Sequence, residues 1–71
     1  MEEILVFKTN ASRKTKLEDL HILLSADPRI KSWNFDFWDR DNIFRVVSLG
    51  ITSQEIIEIL YSVNILASEL L

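Results

Sequence analysis

Cysteine is missing from all 71 residues, which excludes disulfides and thiolate metal centres together. Packing, with or without association of copies, must therefore hold the fold. Histidine occurs once, at His21. Neither a histidine metal cage nor a Ser-His-Asp arrangement can then be assembled by motif, and no other cluster of ionisable groups suggests an enzyme. No apolar run approaches the ~20 residues of a membrane-spanning helix. The first run, Ile4 to Phe7, follows Glu2 and Glu3 and is too short for the apolar core of a secretory leader, so the expectation is a cytoplasmic protein away from the membrane. Excess positive charge is also lacking. The formal net charge is -3 and the pI about 4.9, which argues against a general nucleic-acid-binding surface but leaves room for a local basic patch.

What is present is a small globular domain spanning residues 1–71, with 48% hydrophobic and 27% charged residues, enough for one modest core. Ile4-Leu5-Val6-Phe7 is a continuous apolar run, the pattern of a central strand buried on both faces. Leu17, Leu20, Leu23 and Leu24 recur at helical spacing, and Thr15-x-x-Glu18 has the form of a capping box at the start of that helix. Asp27-Pro28 ends it. Trp33, Phe35 and Phe37 alternate with polar residues, as a strand with one buried face requires, and leave Trp38 on the opposite parity. Asp39-Arg40-Asp41-Asn42 supplies a turn and the run from Ile43 to Leu49 a returning strand. After Gly50, Thr52-x-x-Glu55 is a second capping box opening Ile56-Ile57-Glu58-Ile59-Leu60, and Asn64 is a left-handed stop. The pattern predicts strands over 4–9, 30–37, 43–49 and 65–70, with helices over 15–26 and 53–63. The fold class is α+β, a ferredoxin-like βαββαβ sandwich with a four-stranded antiparallel sheet and two helices on one face.

These spacings resemble those of heavy-metal-associated domains, in which a first strand leads through a Met-x-Cys-x-x-Cys loop into a helix. Laid on that pattern, Leu17, Leu20 and Leu24 stand where the family's first helix keeps Val, Val and Leu, and Ile30, Trp33 and Phe35 fall on the three valines of the next strand. Ile56-Ile57-Glu58 matches the second helix, and Asn64-Ile65 replaces a Gly-Tyr or Gly-Phe pair. The register puts Arg13 and Lys16 at the two cysteine positions and Ala11 at the methionine; a one-residue slip would put Ser12 and Thr15 at the cysteines. Guanidinium and ammonium groups have no lone pair to give a metal, and neutral hydroxyls are poor ligands for copper or zinc. The resemblance thus implies a divergent member without its metal site or any other cofactor.

The chemistry that remains lies in the loop Lys8-Thr9-Asn10-Ala11-Ser12-Arg13-Lys14-Thr15-Lys16-Leu17. It holds four of the eight basic residues. Asn10, Ser12, Arg13, Lys14 and Lys16 form the candidate site for a small anion or an acidic protein partner, close to the first helix, whose dipole and unpaired N–H groups favour negative charge. The plainer reading is a solvated polar turn. His21 is expected to be a partly buried structural residue. Asp36, Asp39, Asp41 and Asn42 do not make a calcium loop, because counting from Asp39 the sixth and twelfth positions are Phe44 and Gly50 instead of glycine and glutamate. The best overall expectation is a non-enzymatic binding or regulatory module. Two alternatives share the topology: a small-molecule-sensing regulatory domain, which would work as a homodimer, and an RNA-binding domain. The acidic balance and the lack of a Gly-Phe-x-Phe run disfavour the second.

Overall fold

The computed structural model describes residues 2–38 and 40–70. Its elements run β1 (Glu3–Thr9), α1 (Glu18–Ser25), β2 (Ile30–Asp36), β3 (Ile43–Ser48), α2 (Ser53–Ser62) and β4 (Ala67–Glu69). The strands form one sheet in the order β2-β3-β1-β4, every neighbouring pair antiparallel. This is the ferredoxin-like α+β arrangement that the alternation of patterns requires.

The register explains the core. Leu5 pairs with Val46 and Phe7 with Phe44, while Trp33 and Phe35 of β2 pair with the same two β3 residues from the other side. One face of the sheet therefore carries Leu5, Phe7, Phe44 and Val46, and Leu20, Leu24, Ile56 and Leu60 of the two helices close over it. Phe44 is the hub. Its ring lies 4.6 Å from Phe35, 6.1 Å from Trp33 and 6.2 Å from Phe7. Tilted aromatic contacts at these separations add to the burial of the rings themselves.

β1 is central, as expected, but it is buried on one face only. Ile4 is 68% exposed, whereas Leu5 and Phe7 are buried. With both helices on one side, the alternate residues face outward whatever their polarity, so a continuous apolar run does not by itself signify two covered faces. Leu23 is likewise exposed, since the stripe of so short a helix has room only for Leu20 and Leu24, with Leu17 half-buried before its first turn.

The two capping boxes diverge. At α2 the Thr52 hydroxyl accepts from the Glu55 N–H at 3.2 Å and donates to Glu55 Oε1 at 3.1 Å. At α1 no side chain caps the helix: it begins at Glu18, and the Thr15 hydroxyl accepts from the Ser12 N–H at 2.9 Å instead. Thr15 closes a turn before the helix. Asn64 stops α2 at φ 65°, and the Ile65 N–H reaches back to the Leu60 carbonyl at 2.9 Å while the Asn64 N–H reaches Tyr61 at 3.0 Å. That pair of bonds is the Schellman arrangement, sealed by contact between buried Leu60 and Ile65. Ile65 is thus a core plug ahead of β4, which is shorter than the 65–70 expected.

Candidate functional site

The end of β1 is where four chain segments meet. Antiparallel pairing sets Lys8 beside Ile43, so the β1–α1 loop and the β2–β3 hairpin emerge at the same end of the sheet. Thr9 joins them: its N–H donates to the Asp41 carbonyl at 3.2 Å and its hydroxyl to the Asn42 carbonyl at 2.6 Å. The same hydroxyl accepts from the Ala11 N–H at 3.2 Å, which turns the chain inward and buries Ala11. Asn10 joins the loop to the segment before β4. Its N–H donates to the Leu66 carbonyl at 3.1 Å, and its Oδ1 accepts from the Leu66 N–H at 2.9 Å. Asn10, placed by sequence among candidate binding residues, is a structural clasp.

Ser12 is also occupied. Its hydroxyl accepts from the Lys14 N–H at 3.2 Å, and its carbonyl accepts from the Thr15 N–H at 3.0 Å. With the Ser12 N–H held by Thr15, three of the loop's amides, those of Ser12, Lys14 and Thr15, are bonded internally. A backbone cradle for phosphate needs such amides free and convergent, so these three cannot contribute to one.

Arg13, Lys14 and Lys16 are exposed. They precede α1 and do not lie in its first turn, which contains Glu18 and Asp19. The cations thus stand just ahead of the helix start and not in its first turn, where the acidic pair already complements the helix dipole. Lys14 and Lys16 make no ion pair among the described residues. Arg13 is different. Its guanidinium carbon lies 4.2 Å from the centroid of the Trp38 ring.

Trp38 is the member of this candidate site that the loop sequence could not announce. Its ring is 87% exposed, and its N–H donates to Asp36 Oδ1 at 3.0 Å in a local turn that swings the side chain off the strand. The parity that set Trp38 apart from Trp33, Phe35 and Phe37 was the only sequence signal. The site that emerges is an exposed indole with the Arg13 guanidinium on it, on a loop that also carries exposed Lys14 and Lys16, with the Asp36 carboxylate bonded to the Trp38 N–H. Asp39 of the hairpin, part of the calcium comparison above, lies outside the described residues.

Elsewhere the charges are structural. At the other end of the sheet Arg29 donates to both Asp27 and Glu55, tying the α1–β2 connection to the start of α2. These hydrogen bonds hold both carboxyls below their usual range and raise the guanidinium further. His21 is exposed, not partly buried; its ring meets the Trp33 ring edge-on at 5.7 Å. No group of three or more His, Asp or Glu side chains converges as a metal site among the described residues, and none of their helices is long and apolar enough to cross a membrane.

Comparison with protein-family models, with curated proteins and with solved structures gives no match.

Proposed function

We propose that the chain is a non-enzymatic binding module, cytoplasmic in setting, whose β1–α1 loop docks an acidic segment of a partner protein. The single observation that carries this reading is the Arg13–Trp38 stack flanked by exposed Lys14 and Lys16. An indole left open to water costs hydrophobic free energy that a partner can recover, and Arg and Trp are the residue types on which binding energy concentrates. The cations add steering and selection for negative charge.

An acidic peptide suits the site better than a small anion. The loop amides that would enclose a phosphate are engaged by Ser12 and Thr15, whereas dispersed side-chain cations can each meet a carboxylate along a chain. The likeness to heavy-metal-associated domains belongs to the same proposal: a module of that type with Arg13 and Lys16 in the place of thiolates would keep docking without cargo. Its support is the apolar spacing and the position of the loop between a central strand and the first helix.

An amide and indole NMR titration with a glutamate-rich peptide containing one aromatic residue tests the proposal. Shifts are expected at residues 12–17 and at the Trp38 indole, shrinking as ionic strength rises. Inorganic phosphate should produce weaker shifts at the same residues. Phosphate shifts equal to those of the peptide would favour a small-anion site. Peptide shifts confined to Arg29 and Lys31, or none, would refute the reading.

A further inference from the structure

We propose that the outer edge of β2 is a self-association surface, along which two copies of the chain pair antiparallel and merge their sheets. The sheet has two edges of unequal character. β4 spans three residues, whereas β2 spans seven, Ile30–Asp36, and pairs on one side only, with β3. An edge strand of that length presents alternate N–H and C=O groups outward, ready to template another strand.

The occupant is identified by the strand's own sequence. In the two-fold register that sets Asn34 opposite Asn34 of the second copy, Phe35 stands opposite Trp33 on the helix-covered face. On the open face Asp36 stands opposite Ser32 and the bulged Lys31. Symmetry makes each contact twice. Trp33 and Phe35 already meet edge-on at 6.3 Å within one chain, so the pairing would extend an aromatic row across the junction. The irregularity between Ile30 and Ser32 is what makes the charges meet. It inserts Lys31 beside Ser32, and the Lys31 ammonium reaches Glu2 Oε2 on the open face at 2.8 Å. Without the inserted residue, Lys31 would follow the parity of Trp33. A lysine at an edge ordinarily discourages strand addition; here the register that pairs the aromatics also supplies it with a carboxylate.

Apolar surface adjoins the same edge. Leu17, His21, Ile22 and Trp33 line a groove between α1 and β2, and Ile22 is 64% exposed. A second copy related by the two-fold would bring its own α1 towards this groove, covering on both sides what one copy leaves in water. A strand of unrelated sequence would meet neither the charge pattern nor the groove in duplicate. The inference does not rest on the basic loop, although Asp36 lies at the end of the sheet where that loop emerges.

Sedimentation equilibrium of the whole chain from micromolar to millimolar concentration tests it. The unsubstituted chain should dimerise. Lys31→Asp and Asp36→Lys should each weaken the dimer by about tenfold, because each turns two attractive contacts into two repulsive ones. The double variant Lys31→Asp with Asp36→Lys should restore it. Within one chain these reversals only add their losses, against Glu2 and Arg45 respectively, so restoration is specific to residues that meet between copies. Circular dichroism of each variant establishes that it remains folded. A chain that stays monomeric throughout, a dimer indifferent to the single reversals, or a double variant weaker than both singles would overturn the proposal.

Discussion

Replacing each tryptophan by alanine separates the core-facing ring of β2 from the exposed ring in the turn just beyond it. Trp33 is half-buried, with its ring 5.7 Å from His21, 6.3 Å from Phe35 and 6.1 Å from the Phe44 hub. Truncating a fully buried tryptophan costs roughly 3–5 kcal/mol; with part of its surface already in water, Trp33→Ala should cost somewhat less, roughly 2–3 kcal/mol. Trp38 is 87% exposed and its one ring partner is Arg13, so Trp38→Ala should cost about 0.5–1 kcal/mol. Against a total stability of roughly 4–11 kcal/mol for a chain of this length, the first loss is severe and the second slight. Urea unfolding followed by circular dichroism reads both. With a slope near 1 kcal/mol per molar for a domain of this size, the midpoint should fall by about 2–3 M for Trp33→Ala and by about 1 M or less for Trp38→Ala. Equal shifts, or a larger one for Trp38→Ala, would refute the assignment of Trp33 to the core and Trp38 to the surface.

Thr52→Ala should cost about 1 kcal/mol by urea unfolding, because it removes the cap of α2, whereas Thr15→Ala should leave the helical circular dichroism signal unchanged, since Thr15 closes a turn outside α1. Stability should also fall on acidification through the Arg29 cluster. Asp27 and Glu55 are held below their ordinary values of 3.8 and 4.5, so their contribution is complete above those values and disappears as pH drops through the lower folded ones. Arg29→Ala should flatten that acid-side slope in a pH series of urea melts, and an unchanged slope would show that the exposed pairing contributes nothing.

Most of the fold was legible because it rests on local pattern. The alternation of Trp33, Phe35 and Phe37, the Thr52 cap and the left-handed Asn64 each act within a few residues, and each stands where the pattern put it. The misreadings share one cause. Whether Ile4 and Leu23 are covered depends on which elements lie above them, and whether Thr15 caps a helix depends on where the helix starts. For α1 the start is delayed by a Ser12–Thr15 turn that competes for the same hydroxyl. The site was half legible. A basic loop is visible as composition, but the ring beneath Arg13 lies 25 positions away in sequence and arrives only through the antiparallel pairing of β3 with both β1 and β2.

Shape and charge at this end of the molecule are carried by different residues. Thr9 and Asn10 hold the loop against the hairpin and against the segment before β4, the latter across 56 positions of sequence. Arg13, Lys14 and Lys16 form no part of that frame apart from the stack on Trp38 and the Lys14 N–H bond to Ser12. Surface substitutions outside such networks usually change stability by no more than about 0.5 kcal/mol, so the cations can be removed with the loop intact. A frame that keeps its geometry while its exposed side chains vary is suited to changing partners by substitution. On the proposed reading specificity would reside in three side chains and an indole, so that a chain with a net charge of -3 presents a local cationic contact.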